Sequence, residues 1–471
     1  MTRQHTFALA RPGRPLLAVV LLVALGSTRA EDGLPPTLTL DQALKKLDAQ
    51  NLSLAQAKGR AEETRGIVRQ AMAAFLPAIS AGGQYLRNSA SAKLSMGALL
   101  DSIEGGINTI SPRPVQLDRS QVPGETVIQP LEAFSGQASV RVPLFAANAY
   151  HDFLAALESA KAVEASVASA RLQLRGALLQ AAWWSGAAEE TADASERALS
   201  ISQEHERSAA RAVQAGTSAP LAHLQAQTDV VRRESDLVRA RAERQRAWLA
   251  LGVLLGEPKP TRIVLPFEPT TLVTATATTE GLTHDALERR PELRSLEASV
   301  RAAQWQVDSA WWRLLPQLSA SASAFASNIA YVTGEKTGWR ASVDLTWALY
   351  DGGFRYGKRA QAEGQLAAAR AGLWAQKLEV SQQVLDATRD LEVAKERLRL
   401  AVRQKELAVE VAASAKRSFS AGLASSLDVL DANDRLYQAE VGQAEARARL
   451  GMASAALARV TGALLEGASG R

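Results

Sequence analysis

Two periodicities alternate along this chain, and the alternation occurs twice. Helical stretches lead to Leu76-Pro77 and again to Leu315-Pro316. Proline biases the residue before it away from helix, so each stretch is expected to end there. Beyond Pro316 the period drops to two. Leu318, Ala320, Ala322, Ala324 and Ala326 alternate with Ser319, Ser321, Ser323, Phe325 and Ser327. The matching strand of the first half begins near Ile79. A clearer strand follows in each half. Ala138, Val140, Val142 and Leu144 oppose Gln137, Ser139 and Arg141, and Trp339, Ala341, Val343, Leu345 and Trp347 oppose Arg340, Ser342, Asp344 and Thr346. Such alternation marks a sheet with one apolar and one polar face. Strands are therefore expected at about 79–88, 136–145, 318–331 and 339–349.

After the second strand of each half the period lengthens again. Phe153, Leu157, Ala160, Val163, Val167, Ala170, Leu174 and Leu178 form a stripe at steps of three and four. Leu366, Leu373, Val380, Val384, Leu391, Leu398, Val402 and Val409 form another at fours and sevens. Patterns of this kind pack helices side by side. Long helices are expected at 147–215 and 355–420, each spanning on the order of 100 Å. Gly216 and Gly422 break them, and return helices follow at 219–255 and 426–462.

The recurrence is a true internal repeat. Residues 54–80 match 293–319, and 211–256 match 417–462 without a gap, sharing Ala215/Ala421, Gly216/Gly422, Leu221/Leu427, Leu224/Leu430, Glu234/Glu440 and Gly256/Gly462. The body thus divides into a first unit at 31–256, a linker at 257–278 and a second unit at 279–465. About 34 extra residues lie in the first unit between Pro77 and Leu144. This insertion, 88–134, contains Leu99, Leu100, Ile103, Ile107 and Ile110 near helical spacing. It reads as an ordinary loop in preference to a folded extracellular cap.

Composition narrows the compartment. Residues 1–30 carry Arg3, Arg11, Arg14 and Arg29, no acid, and an apolar run from Leu16 to Leu25. Small and polar residues at 27–30 complete the pattern of a cleaved secretory signal peptide. The run is half the roughly 20 residues that a membrane-spanning helix needs. Without these residues the net charge of +5 nearly vanishes, which removes nucleic acid as a partner. The chain has no cysteine, which excludes disulfides, thiolate chemistry and an N-terminal lipid anchor. Membrane attachment therefore has to come from the fold.

Each strand has the roughly ten residues that a tilted strand needs to cross a bilayer. Trp339 and Trp347 are eight residues apart on the apolar face, about 26 Å at about 3.3 Å per residue, close to the spacing of the two aromatic girdles of a membrane barrel. Open strand edges are not tolerated in lipid, and four strands are too few to close a barrel. Several chains must then share one: two would supply eight strands, three would supply twelve.

The order and duplication of these segments resemble the TolC-like outer-membrane factor family over nearly the whole chain after the signal. The resemblance is carried by Leu38-Thr-Leu-Asp-Gln-Ala-Leu44, the two Leu-Pro junctions, Leu349-Tyr-Asp-Gly-Gly353 and, most specifically, the segment from Ser420 to Tyr437. It implies a mainly α fold with a small β part. A long antiparallel α-helical coiled-coil barrel would carry four transmembrane strands per chain, completing a twelve-stranded β-barrel in a homotrimer. It places the protein in the cell outer membrane with a periplasmic extension, surrounded by outer-membrane lipid. It implies a passive export duct for efflux or type I secretion, working with a periplasmic adaptor (membrane fusion protein) and an inner-membrane pump. A periplasmic coiled-coil scaffold or adaptor is the alternative, but it needs neither the alternating strands nor their duplication.

No catalytic constellation, cofactor loop or metal set is legible. His5, His151, His205, His223 and His284 do not pair at ligand spacing, so no enzyme is expected. The candidate site is Asp428 with Asp431. Three residues apart, they share one side of the second return helix. Their counterparts in the first unit are Ala222 and Gln225. Acids near a helix N-terminus offset the macrodipole. The resemblance adds that these two match aspartates lining the family's periplasmic aperture, where carboxylate rings favour cations. It also makes the tips Gly216, Thr217, Ser218 and Gly422, Leu423, Ala424 the expected adaptor contact. Some family members carry a latching arginine two residues after the tip glycine. Here Ala424 and Ser218 stand there, so a latch must use other contacts.

Overall fold

The computed structural model describes residues 35–117, 126–265, 278–330 and 334–465. The expected signal peptide, most of the expected linker and residue 331 of the third expected strand lie outside them.

Each half opens on a short and a longer helix. In the first half these are α1 (Leu40–Gln50) and α2 (Leu52–Ala73), and in the second α6 (Thr279–Arg289) and α7 (Pro291–Trp312). Each break has a local cause. Asn51 caps α2 through its side chain, accepting from the Leu54 amide, and Pro291 starts α7 at the first helical position. Strands follow, β2 (Ala78–Arg87) and β5 (Glu132–Phe145) in the first half, β7 (Gln317–Ser327) and β8 (Thr337–Thr346) in the second. Then come the long helices, α4 (Ala147–Gln214) and α8 (Phe354–Ser420), and the return helices, α5 (Pro220–Leu254) and α9 (Ser426–Val460).

The four strands form one antiparallel sheet in the order β2-β5-β7-β8. Its register aligns the two faces across the whole sheet. Ile79, Val140, Ala322 and Ala341 make one row, and Ser80, Ser139, Ser323 and Arg340 make the next. Serine pairs tie the polar face, Ser80 to Ser139 at 2.8 Å and Ser321 to Ser342 at 2.9 Å. β8 ends before Trp347, whose indole donates to the Leu314 carbonyl at 3.2 Å. Only Trp339 of the expected tryptophan pair thus belongs to the strand itself, and it is 81% exposed in the protomer.

The helices form a layer with a matching order. Near the tips the order is α5-α4-α9-α8, and nearer the sheet it is α2-α4-α7-α8. At the junction of these two levels sit two clusters of buried apolar side chains. Leu44, Leu47, Leu178, Leu179, Leu251 and Leu255 form one cluster, and Leu282, Leu293, Val380, Val384 and Leu457 form another. Among the described residues no helix is long and apolar enough to cross a membrane.

Two segments differ from the sequence reading. Part of the expected linker is a strand, β6 (Arg262–Val264), which pairs in parallel with β1 (Thr37–Thr39). Three-residue strands carry too little periodicity to be read in advance. The inserted stretch is more than an ordinary loop. It contains β3 (Ala92–Leu94), α3 (Met96–Ile110) and β4 (Thr126–Gln129), with β3 and β4 antiparallel.

Candidate functional site at the hairpin tips

Both long helices end the same way. Gly216 (φ +72°) and Gly422 (φ +74°) take the left-handed conformation that glycine adopts without penalty. The Gly216 amide donates to Val213 and the Thr217 amide to Ala212; the Gly422 amide donates to Phe419 and the Leu423 amide to Ser418. This pairing satisfies carbonyls that would otherwise be orphaned at a helix C-terminus. The polypeptide then re-enters a helix at Pro220 in one hairpin and at Ser426 in the other.

The two tips lie side by side and enclose an open groove of about 860 Å³. Thr217, Ser218, Gly422 and Ala424 line it, together with Arg211, Phe419, Leu221 and Leu427. Leu423 stands away from it, 84% exposed. The structure therefore brings both expected tip segments to one end of the molecule.

Asp428 and Asp431 lie on the first turns of α9, both exposed. Each has a local partner. The Asp428 carboxylate accepts from the Ser425 hydroxyl and amide, both at 2.8 Å, while the Ser425 oxygen accepts from the Asp428 amide. This is a capping box. The hydrogen bonds from the Ser425 side chain and backbone hold the Asp428 carboxyl below the usual carboxylate range. Asp431 pairs with Arg435 at 2.8 Å. Helix capping and charge pairing thus account for how both acids are held.

What joins the two hairpins was not read from the sequence. His205 of α4 is buried and shares a 2.9 Å hydrogen bond with the Ser426 hydroxyl of α9. Its ring also meets Phe419 of α8 edge-on, with centroids 5.2 Å apart. Burial pushes the His205 imidazole below its ordinary pKa, against a smaller upward pull from Asp229 and the Ser426 hydrogen bond. Lys416 of α8 donates to Glu204 of α4 at 2.9 Å, and that hydrogen bond lowers the Glu204 carboxyl.

About three turns above the tips lies a largely buried ionic cluster. The Arg233 guanidinium, 3% exposed, donates to Asp434 of α9 at 2.7 Å and lies over the Tyr437 ring at 4.9 Å. Arg232 also reaches Asp434, at 3.0 Å. Asp229, 5% exposed, accepts from Ser202 of α4 at 2.7 Å and from Arg232 at 2.8 Å. Tyr437 in turn shares a 3.1 Å hydrogen bond with Ser195. These are the contacts that hold the tips together where Ala424 and Ser218 lack a charged side chain. Asp229, Arg232, Arg233 and Asp236 carry a sequence signal only as helix-spaced charges, which usually face water. Asp434 lies some 200 residues away, and only tertiary packing brings it in.

Among the described residues no group of three or more His, Cys, Asp or Glu can hold a metal ion.

Comparison with known proteins agrees with the architecture. The chain is 33% identical to Protein CyaE of Bordetella pertussis over 180 residues, which is 38% of each protein. The aligned region thus spans well under half of that relative's length. Among solved structures, the outer membrane protein VceC of Vibrio cholerae superimposes with a TM-score of 0.70 at 17% identity, covering 90% of this chain and 96% of that one. The Campylobacter jejuni CmeC outer membrane channel superimposes with a TM-score of 0.72 at 16% identity, covering 90% and 85%. The sequence profile of the outer membrane efflux proteins matches residues 43–257 and 282–463, most of the sequence. This chain belongs to the outer membrane efflux protein family.

Proposed function

We propose that this chain is one protomer of a homotrimeric export duct, a passive tube through the outer membrane and periplasm. One observation carries the reading: both layers repeat with a period of half a chain and stop at open edges. In the order β2-β5-β7-β8, the β5/β7 seam joins the first unit to the second. The equivalent seam, β8 to the β2 of another copy, is unfilled in a single protomer. In the helical layer α4 meets α9 and α7. The equivalent seam would join α8 to α5 and α2 of the next copy. The edge helices are dressed for this. α8 exposes Leu378, Leu385, Val393, Leu400 and Leu407, and α5 exposes Leu224, Val231 and Val238, near heptad spacing. Sheet edges are not tolerated in lipid, so the ring must close. Three copies make twelve strands, the number that the family resemblance implies.

The test is extraction of the outer membrane with detergent. A heat-sensitive trimer in that fraction, conducting in planar bilayers, is the expected result. Release as a soluble monomer overturns the reading.

Energy for export comes from partners in this reading. The groove between the tips offers a periplasmic adaptor its docking place, with Gly216, Thr217, Ser218, Gly422, Leu423 and Ala424 as the contact, and an inner-membrane pump supplies the work. Asp428 and Asp431 form two rings of carboxylates at the periplasmic entrance, where they favour cations. Replacing both, Asp428→Ala with Asp431→Ala, is expected to lower the cation-over-anion permeability ratio of single channels. An unchanged reversal potential in a salt gradient removes the aperture role and leaves only the capping box.

A further inference from the structure

The insertion present only in the first unit has a folded centre with an unpartnered face. Helix α3 places Met96, Leu99, Leu100, Ile103, Ile107 and Ile110 within an arc of about 100°. None of its residues is buried in the protomer, and Ile110 is 86% exposed. The segment is nonetheless built. Ser95 caps α3 through its side chain, and Asn108 clamps the chain after it through both hydrogen bonds of the Val115 backbone, at 2.6 and 3.2 Å. At its base the Asn88 amide donates to Leu131 at 2.8 Å and its side chain to Pro130 at 2.7 Å. The excursion thus continues the β2/β5 ladder at the end away from the helices.

We infer that the apolar stripe of α3 packs against the same stripe of the other two copies, forming a three-helix cover over the outer mouth of the duct. The inference rests on the trimeric reading above. Charge selects a protein occupant over a lipid surface. Interfacial helices carry Lys and Arg on their polar face, whereas α3 carries Asp101 and Glu104 and no base. Size fits as well. Twelve strands spaced about 4.8 Å apart and tilted by about 40° give a mouth about 24 Å across. Three helices, each about 10 Å in diameter, cluster to about 20 Å. β3 supplies about 10 Å of reach against a mouth radius of about 12 Å. The connection from β7 to β8 spans only residues 328–336, so each protomer contributes one helix and the cover has three.

The cysteine-free sequence makes the test direct. Two variants, Ile103→Cys on the stripe and Ser102→Cys off it, are oxidised in isolated outer membranes with copper phenanthroline. The unheated trimer band is then cut out and denatured. The expected result is conversion of most Ile103→Cys protomers to a disulfide-linked pair, with Ser102→Cys protomers remaining single. An intact Ile103→Cys trimer whose protomers stay single and whose introduced thiol reacts with an impermeant maleimide overturns the cover, since the stripe is then bare. An intact Ile103→Cys trimer whose protomers stay single, whose thiol resists the maleimide and whose attached fluorophore is quenched by brominated lipid also overturns it, because lipid is then the occupant. Absence of the trimer in the unmodified protein defeats the trimeric reading itself, a separate outcome.

Discussion

The two hairpins began as one sequence pattern and ended with different burdens. In the first, the outgoing helix α4 is the inner one. It packs on α2, α5, α7 and α9, and it buries Leu172, Leu178, Leu179 and Trp183. In the second, the return helix α9 is inner, while the outgoing α8 stands at the edge with Trp374 and Leu378 mostly exposed. Burial therefore follows position in the layer rather than the heptad pattern, which all four helices share to some degree. Edge helices leave their apolar stripes exposed in the protomer, and inner helices bury theirs within the chain.

The seam between α4 and α9 is where this contrast breaks most sharply. Gly451 of α9 lies so close to Trp183 of α4 that an added Cβ would overlap the indole ring. Its counterpart in the first unit is Gln245 of α5, which is exposed. Gly451→Leu is expected to be the most damaging change, well beyond the roughly 1–3 kcal/mol of ordinary overpacking, with loss of assembled trimer from membranes. Gln245→Leu should leave the protomer fold intact. Equal loss in both would show that inner and edge positions are not distinct.

Next in size is Arg233→Ala. It removes the buried guanidinium that bridges Asp229 and the part-buried Asp434, leaving both carboxylates to the half-exposed Arg232. The cost should therefore approach but not exceed the about 3–5 kcal/mol of a fully broken buried pair. The expected readout is a lower dissociation temperature of the trimer, accompanied by larger single-channel conductance as the hairpins separate. Removal of Arg435, on the exposed face of α9 beside Asp431, should cost no more than about 1 kcal/mol. If the two arginines behave alike, the buried cluster is not what joins the hairpins.

A smaller effect should appear with pH. His205 is held neutral by burial, so its folded pKa lies below the ordinary 6.5. Its contribution to the tip contact is complete above that value and is lost as pH falls toward the depressed one. Ser426 sits at the N-terminal, positive end of α9, where an imidazolium is also disfavoured. The charge that acts on it from a neighbouring element is Asp229 on α5; the Glu204–Lys416 pair and Asp428 lie nearby in sequence or on adjoining helices but are exposed to solvent. Trimer stability, followed by thermal dissociation between about pH 7.5 and 5, should decline on acidification. His205→Gln should flatten that slope, and an unaltered slope would assign the titration to another group.

Much of this architecture was legible beforehand because its signals are local and long. A period of two over ten residues and a heptad pattern over nearly seventy survive any tertiary context. Both leave their mark on composition, and duplication doubles the signal. Glycine at 216 and 422 announces a turn because a left-handed residue is needed to end each helix. Segments too short for periodicity, β1, β6 and β3, were not legible. Nor was α3 as a folded element, since Gly105 and Gly106, poor helix formers, stand within it off the apolar stripe.

From its residues alone this protein was determined to be a twice-repeated unit of helix, strands and long helical hairpin, with acids at one tip only. Tertiary structure decided which helices became inner and which charges became buried, whereas the contacts of Asp428 with Ser425 and of Asp431 with Arg435 are local to α9. The physical reason is range. Helix and strand preferences act over a few residues, whereas Arg233 meets Asp434, and Trp183 meets Gly451, only after the two units have packed against each other.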